Sequence, residues 1–309
     1  MTILDRYRGC LLGLAAGDAL GTTLEFKQPG SFKPLTDMVG GGPFGLKPGE
    51  WTDDTSMALC LAESLVTKKD FDAVHQLETY VRWWRHGHLS VKGRCFDIGN
   101  ATRAALETFE RYHRPDSGSR DPSVAGNGSL MRLAPVPLAF AHDPEEAIRF
   151  ASESSCTTHG SWECLDACRY FAGLIVGAVQ GRSKDELLAP QFTPIPGLWA
   201  KSLALNPQVD AIACGSFRRQ PPEIRGSGWV IHTLEAALWA FHSTESFRDG
   251  ALKVVNLGED ADTTGAVFGQ IAGAYYGVDG IPPEWLDKLA MRVLIDQRAG
   301  ELHAMAGIA

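Results

Sequence analysis

The spacing of hydrophobic residues along the chain predicts a protein built from helices. From Ile3 onward, Tyr7, Leu11 and Leu14 recur three or four residues apart, which places them on one helical face. Similar spacing predicts further helices over residues 53–66, 70–85, 96–109, 144–155, 161–180, 230–242, 247–257, 260–276 and 283–299. No segment shows the strict alternation of a half-buried strand, so the pattern predicts an all-α fold.

The segments between these helices differ in length and composition. Residues 21–50 are rich in Gly, Pro and Lys and predict one long loop, and loops of that length inside compact domains usually serve function. Residues 111–125 also predict a loop. Thr52 is the predicted N-cap of the helix that follows it. Residues 181–225 contain many prolines and no clear period, so their organisation is not predicted.

Glycine recurs every fourth residue in two predicted helices. The series are Gly9, Gly13, Gly17 and Gly21, and Gly265, Gly269, Gly273 and Gly277. Such series leave shallow ridges that allow close helix approach, so we expect these two helices to pack antiparallel in the core. That packing would bring Asp18 beside Asp260 and Asp262. The alternative is that the glycines are unrelated packing accommodations.

Two distant segments pair aspartates with threonines at the start of apolar helices. They are Trp51–Thr55 and Gly258–Gly265, and neither has a nearby Lys or Arg in sequence. Clustered carboxylates repel one another unless a cation lies between them, and oxygen ligands suit Mg²⁺, Mn²⁺ or Ca²⁺ better than zinc. The alternative is that each group only caps its helix. A shared site requires the chain to close on itself, which favours one domain over residues 1–309.

Composition narrows the class of protein. The chain has 44% hydrophobic and 21% charged residues, which is typical of a globular protein, and its net charge of −8 argues against an extended nucleic-acid surface. Its seven cysteines include no C-x-x-C pair, so we expect reduced thiols and a cytoplasmic location. The apolar run at residues 9–17 is flanked by Asp5 and Asp18, which argues against a targeting signal, and no run is long enough to span a membrane.

Two Gly-rich turns precede predicted helices. A turn of the type Gly126–Ser129 can present N–H groups to a phosphate, although Gly-Asn-Gly is also an ordinary turn. The surrounding sequence does not match G-x-S-x-G, so Ser129 is not expected to be a hydrolase nucleophile. In the second turn, Gly226–Trp229, the Trp229 ring could stack on a base, but packing is the commoner role, and a lone histidine such as His159 is more often structural.

An ordered set of short motifs resembles the ADP-ribosylglycohydrolase family, and most of all its bacterial branch, which includes the dinitrogenase reductase-activating glycohydrolases. The motifs are Gly17–Gly21 with Glu25–Phe26, Trp51–Ser56, Phe96–Gly99, Gly126–Arg132, Thr158–Gly160, Gly226–Trp229 and Asp260–Gly265. The resemblance covers nearly the whole chain. Each motif is weak alone, and the ordered set is specific.

This resemblance implies a compact orthogonal helical bundle with a cleft that holds two Mg²⁺ or Mn²⁺ ions. The family's metal ligands fall on Thr52, Asp53, Asp54, Asp260, Asp262 and Thr263. Its substrate-binding positions fall on Asp97, Gly126, Asn127, Gly128, Ser129, His159, Ser227, Gly228 and Trp229. Its catalytic positions fall on Glu25, Asp53, Asp54 and Asp262. Asp18 is expected to support the site. Glu259 departs from the glycine that many members carry there, which adds negative charge.

The implied reaction is metal-dependent hydrolysis that removes ADP-ribose from a modified acceptor, with arginine on a protein favoured by the bacterial branch. Serine-linked, O-acetyl-linked and nucleic-acid-linked ADP-ribose remain alternatives. Other classes also remain: a non-catalytic ADP-ribose-binding protein, or a two-metal phosphohydrolase that would yield AMP. The implied partner is an ADP-ribosylated protein or a small ADP-ribose conjugate, and we expect a monomer.

Overall fold

A computed structural model describes residues 1–199 and 203–307. The described part is helical, with isolated β-bridges and no strands, so the all-α prediction is confirmed. The helices are α1 (Ile3–Gly21), α2 (Asp53–Lys68), α3 (Ala73–His86), α4 (Asn100–Tyr112), α5 (Pro135–Ala139), α6 (Pro144–Cys156), α7 (Trp162–Val179), α8 (Lys184–Leu187), α9 (Pro207–Ala213), α10 (Val230–His242), α11 (Phe247–Val255), α12 (Ala261–Tyr276), α13 (Pro283–Lys288) and α14 (Arg292–Ala306).

The predicted helix over 283–299 is wrong, because it is divided into α13 and α14. Between them Met291 adopts the left-handed conformation, with φ of 54°. Ala290 faces the long loop instead of a helical neighbour: its N–H donates to the Gly49 carbonyl at 2.9 Å, and its carbonyl accepts from the Trp51 indole at 3.0 Å. Contacts with a distant segment therefore override the local helical pattern.

The other predicted bounds need smaller changes. The helix predicted over 96–109 begins at Asn100, because Asp97 has a φ of 59° and Gly99 is extended. The long loop over 21–50 contains a short 3₁₀ turn at Thr22–Leu24 and is otherwise irregular, as predicted. In the segment whose organisation was not predicted, α8 packs on α7, and α9 packs on α7 and α10.

The two glycine-ridged helices, α1 and α12, form an antiparallel pair with very close backbone contact. A Cβ at Gly269 would lie 1.9 Å from the Gly13 carbonyl oxygen, and one at Gly273 would lie 1.9 Å from the Gly9 oxygen. Only glycine permits this approach, so the glycines serve one interface and the predicted packing is confirmed. We call this interface the glycine seam.

The seam lies in the hydrophobic core, which contains buried residues from every long helix. The buried face of α1 extends from Tyr7 to Gly21 with little interruption, and α12 is buried over most of its length. None of the described helices combines the length and apolar character needed to cross a membrane. The position of the seam decides where the polar ends of α1 and α12 meet.

Candidate active site

The glycine seam ends in a group of buried carboxylates. Asp18 lies near the end of α1, Asp262 in the first turn of α12, and Asp54 in the first turn of α2. One carboxylate oxygen from each of these three residues lies within 4.8 Å of the others. The same limit holds for a second group, made of Glu25, Asp260 and Asp262. The two acidic segments predicted from sequence therefore meet in space.

Asp18 supports this group of carboxylates by accepting hydrogen bonds from the start of α2. Its Oδ1 accepts from the Thr52 N–H and hydroxyl, each at 2.9 Å, and its Oδ2 accepts from the Thr55 N–H at 3.1 Å and hydroxyl at 2.6 Å. Thr52 occupies the predicted N-cap position of α2. Its hydroxyl, however, makes no capping hydrogen bond to the helix, because it donates to Asp18 instead. Four hydrogen bonds to one carboxylate fix the start of α2 against the end of α1.

The remaining oxygens form a cradle that suits a hard cation. The Thr52 hydroxyl lies 3.2 Å from Asp54 Oδ2 and 3.4 Å from Asp262 Oδ2. The Thr263 hydroxyl lies 3.5 Å from Asp54 Oδ2. Asp54 Oδ1 is buried and has no hydrogen-bond partner among the described residues. A buried carboxylate oxygen without a donor needs positive charge, and these oxygen donors match the ligands of Mg²⁺ or Mn²⁺.

Glu25 reaches this cradle from the long loop. Its Oε2 accepts from the Ala261 N–H at 3.0 Å, at the start of α12. The backbone on either side is joined to the same region, since the Phe26 N–H donates to the Glu259 carbonyl and the Glu259 N–H donates to the Lys27 carbonyl, both at 2.7 Å. Glu25 is therefore held against α12, and its Oε1 takes part in no hydrogen bond among the described residues.

Burial and mutual repulsion make these acids hard to ionise without a cation. Burial, followed by repulsion from neighbouring carboxylates, raises the pKa values of Asp53, Asp54 and Asp262 well above their usual range. Burial raises the pKa of Glu25 to about 7, with a further contribution from Asp260. A bound cation would lower these pKa values.

The pKa values of three further acids of the site are shifted in the same direction. Burial raises the pKa of Asp97 to about 8, with a contribution from Glu25. Burial also raises the pKa of Asp18 to about 6, against the hydrogen bonds from Thr52 and Thr55, which lower it. The pKa of Asp260 is raised by burial despite hydrogen bonds from Asn127 and Thr263.

The first Gly-rich turn forms the opposite wall of the cleft. The Asn127 N–H donates to the Gly228 carbonyl at 3.1 Å, and its side-chain amide donates to Asp260 Oδ2 at 2.9 Å, so both Gly-rich turns are tied to α12. The N–H groups of Gly128 and Ser129 meet no protein acceptor among the described residues. Free N–H groups at a turn favour an anionic ligand.

A cleft of about 410 Å³ lies between these walls. The predicted site residues that line it are Glu25, Asp53, Asp97, Gly126, Asn127, Gly128, His159, Gly228, Asp260, Asp262 and Thr263. Thr52 and Asp54 lie behind that surface, within the cradle. The lining formed by described residues includes five acids and no Lys or Arg.

Three predicted substrate-binding side chains do not line the cleft. The Ser129 hydroxyl accepts from the Ser155 hydroxyl at 2.8 Å in the protein interior. The Ser227 hydroxyl lies 2.7 Å from Nδ1 of His232, and the Trp229 ring packs edge-on against the same imidazole, with centroids 4.7 Å apart. These three side chains support the turns from outside the cleft.

The cleft also contains residues that were not predicted as site residues. Phe26, Ile98, Thr102 and Met131 contribute to the lining, and Arg132 is fully buried behind the first Gly-rich turn. Phe26 and Arg132 lie inside the motifs that carry the resemblance, so their positions were available from sequence. Their roles were not, because they depend on which way each side chain turns.

Comparison with known proteins supports the family resemblance that the sequence motifs indicated. A family model described as ADP-ribosylglycohydrolase matches residues 1–307. The ADP-ribosylarginine hydrolase Tri1 of Pseudomonas putida (strain GB-1) is 47% identical over 304 residues, which cover 98% of this chain and 79% of the relative. The ADP-ribosyl-(dinitrogen reductase) glycohydrolase of Rhodospirillum rubrum is 32% identical over 313 residues, covering 99% and 98% of the two chains.

A solved structure described as an ADP-ribosylglycohydrolase-related protein complex superposes with a TM-score of 0.87. It is 42% identical and covers 98% of this chain and 99% of its own. The match of fold, of ordered motifs and of sequence extends over almost the full length. The chain therefore belongs to the ADP-ribosylglycohydrolase family of enzymes.

Proposed function

We propose that this enzyme hydrolyses the bond between the anomeric carbon of ADP-ribose and an arginine guanidinium on a modified protein. The proposal is carried by the two walls of the cleft: clustered carboxylates on one side and the first Gly-rich turn, with the free N–H of Gly128, on the other. Relatives named ADP-ribosylarginine hydrolase, at 47% and 43% identity, support arginine as the acceptor.

The carboxylate wall would hold two Mg²⁺ or Mn²⁺ ions through Thr52, Asp53, Asp54, Asp260, Asp262 and Thr263. When bound, such ions neutralise the acids, orient hydroxyl oxygens and make a bound water more acidic. The unpartnered Oδ1 of Asp54 and the raised pKa values of the cluster support this ligand set. Asp18 completes its hydrogen bonding within the protein and acts as a support.

Glu25 is the proposed acid and base. Its Oε2 is held by the Ala261 N–H, which leaves Oε1 to exchange a proton in the cleft. Burial raises the pKa of Glu25 above its ordinary value, which favours a group that must take a proton from water and return it to the leaving guanidine. Burial raises the pKa of Asp97 in the absence of cations, and bound cations favour its ionised form, which can accept a hydrogen bond from a substrate N–H or O–H.

The turn at Gly126–Ser129 binds the diphosphate in this proposal. The N–H of Gly128, which lines the cleft, has no competing acceptor among the described residues, so it is available to anionic oxygens. A diphosphate held at this wall fixes the distal ribose against the opposite wall, and the binding energy is thereby used for positioning.

The mouth of the cleft suits a cationic acceptor. Its lining includes Glu25, Asp53 and Asp97, and Phe26 is 64% exposed there. Acidic groups attract a guanidinium, and an aromatic ring can contact it through cation–π attraction. A serine or acetyl acceptor carries no positive charge and would gain neither contact.

The experiment is a substrate panel with arginine-linked, serine-linked, O-acetyl-linked and DNA-linked ADP-ribose, each incubated with Mg²⁺ or Mn²⁺. We expect free ADP-ribose and unmodified arginine from the first substrate, with the others slower. Glu25→Gln should lower the rate about a hundredfold or more, whereas the exposed Glu284→Gln should leave it unchanged.

Three outcomes would contradict this proposal. AMP as the product would indicate cleavage of the diphosphate by a phosphohydrolase. Faster release from serine or DNA would reassign the acceptor. Binding of ADP-ribose without release from any substrate would identify a binding protein on this fold.

A further inference from the structure

His159 lies beside the first Gly-rich turn with one ring nitrogen directed at it. The residue is 4% exposed, and its N–H donates to the Ser155 carbonyl at 2.7 Å, which fixes its backbone at the end of α6. A Cβ at Gly128 would lie 2.7 Å from Cε1 and 3.0 Å from Nε2 of the ring, so the Cε1–Nε2 edge faces the turn, and both residues line the cleft. Among the described residues, Nε2 forms no hydrogen bond, whereas Nδ1 lies 2.9 Å from the Thr158 hydroxyl.

Arg132 is a fully buried cation behind the same turn. Its Nε donates to the Tyr80 hydroxyl at 2.6 Å, Nη1 donates to the Gly128 carbonyl, and Nη2 donates to the Thr158 hydroxyl at 2.8 Å. Arg132 forms no ion pair within residues 1–199 and 203–307. Its donation to Gly128 holds that carbonyl toward the interior, while Gly128 itself lines the cleft.

The direction of these bonds decides the tautomer of His159. A guanidinium can only donate, so the Thr158 oxygen accepts from Arg132 and keeps one proton to give. His159 Nδ1 is the remaining partner of that hydroxyl, and it must therefore accept. If Nδ1 carried the proton instead, the buried hydroxyl of Thr158 would lose its acceptor, at the cost of an unmade hydrogen bond.

The imidazole is also neutral. Burial, with a further contribution from the positive charge of Arg132, lowers the pKa of His159 to about 3. A neutral imidazole with an accepting Nδ1 carries its proton on Nε2. The ring therefore presents an N–H donor to the cleft next to the free N–H of Gly128.

We propose that Arg132 and Thr158 form a hydrogen-bond relay that fixes His159 as the neutral Nε2–H tautomer, positioned to donate to a diphosphate oxygen of the substrate. Arg132 and Thr158 are positioning residues, because neither lines the cleft. The identity of the ligand rests on the proposed function, whereas the tautomer follows from the protein alone.

Nuclear magnetic resonance of ¹⁵N-histidine-labelled protein tests the tautomer without substrate. The nine histidines are separated by comparison with His159→Asn. At neutral pH we expect the Nε2–H pattern for His159 in the wild type and in Thr158→Ser, and a loss of that preference in Thr158→Val. The matched control is Thr157→Val, because Thr157 is equally buried but its hydroxyl donates to Ser154 instead.

Measurements of ligand binding and kinetics test whether the fixed tautomer of His159 contributes to diphosphate binding. Thr158→Val should raise the Kd for ADP-ribose and the KM about tenfold, the loss expected for one hydrogen bond, with a smaller effect on kcat. Thr158→Ser should restore both. Adenosine, which lacks the diphosphate, should bind the wild type and Thr158→Val equally.

An Nδ1–H pattern in the wild type would overturn the relay, as would unchanged ADP-ribose binding in a folded Thr158→Val. The wild-type spectrum decides the tautomer even if the valine variant does not fold. Failure of the wild type to release ADP-ribose from arginine would refute the proposed function and leave the tautomer result standing, so the two failures are distinguishable.

Discussion

The glycine seam and the acidic cradle are two regions of the same helix pair, and they are built on opposite principles. Along the seam, α1 and α12 approach so closely that their backbones touch, and the glycines at the contact leave no side chain between them. At its end, Asp18 and Asp262 are buried together with acids from α2 and the long loop. Burial of apolar surface along the seam stabilises the folded state, whereas burial of the carboxylates in the cradle destabilises it when no cation is bound.

This difference indicates that the seam and the cradle have separate roles, one in stability and one in turnover. Packing along the seam is rigid enough to hold carboxylates at distances that their repulsion opposes, so the cradle is preformed for a cation. The opposite wall of the cleft has positive instead of negative charge, because Arg132 is a buried cation beside free N–H groups. Substitutions in the seam should therefore change stability, and those in the cradle should change turnover.

The largest effect is expected for Asp54→Asn. Removing this carboxylate should lower turnover more than about a hundredfold, since even residues that only support metal ligands cost up to that much. The metal-free variant should melt higher than the metal-free wild type, because one repulsive charge is gone. Melting curves with and without Mn²⁺ should show stabilisation by the ion in the wild type only.

The control for that experiment is Asp287→Asn, because this carboxylate is 74% exposed and pairs with Arg292 at the surface. It should leave turnover and the response to Mn²⁺ unchanged. A variant at Asp54 that keeps both full turnover and stabilisation by the ion would contradict the division between seam and cradle.

Gly269→Ala should be the most damaging change in the seam. The new Cβ would lie 1.9 Å from the Gly13 oxygen, so the helices must separate, and the free energy of unfolding should fall by about 3 kcal/mol or more. Gly300→Ala is the matched control, since a Cβ there meets no atom within 4 Å and should stabilise α14 by up to about 1 kcal/mol. Urea denaturation measures both, and equal effects would refute the seam.

The pH dependence of stability should distinguish the cradle from the rest of the protein. The folded pKa values of Asp18, Glu25 and Asp97, about 6, 7 and 8, lie above the ordinary values of 3.8 for Asp and 4.5 for Glu. Between about pH 4 and 8 the folded protein therefore holds protons that the unfolded chain releases. The metal-free protein should lose stability as the pH rises through this range.

Each of these groups contributes at most about 1.4 kcal/mol per pH unit to that loss. Saturating Mg²⁺ or Mn²⁺ should flatten the dependence, because the ions favour the ionised carboxylates. Denaturation at several pH values with and without the ions measures the difference. Stability that rises from pH 5 to 8 without ions would contradict the shared burial of the acids.

The smallest effect is expected for Glu259→Gly, which places glycine at a left-handed backbone position. Glu259 has a φ of 58°, a conformation that costs a non-glycine residue about 1 kcal/mol. Its carboxylate pairs with the half-exposed Arg225 at 2.8 Å, an interaction of little net value. We expect slight stabilisation and unchanged ion preference in thermal and kinetic assays. A changed Mg²⁺ to Mn²⁺ preference would show that the charge of Glu259 reaches the cradle.

Much of the fold could be predicted from sequence because its signals are local or periodic. The spacing of Tyr7, Leu11 and Leu14 predicts α1, and the four-residue glycine repeats predict the seam. The pairing of Asp and Thr at two helix starts predicts a cation site, because like charges in one place need a counter-charge. The fold family and the acceptor chemistry came from the ordered motifs.

Only the tertiary structure decided which partner each polar group takes. The Thr52 hydroxyl serves Asp18 and not its own helix, and Ala290 breaks a helical pattern to reach Gly49. The direction of the relay from Arg132 through Thr158 is equally invisible in sequence. Periodicity states which face of a helix is buried, but a hydrogen bond depends on positions and orientations that distant segments set when they pack.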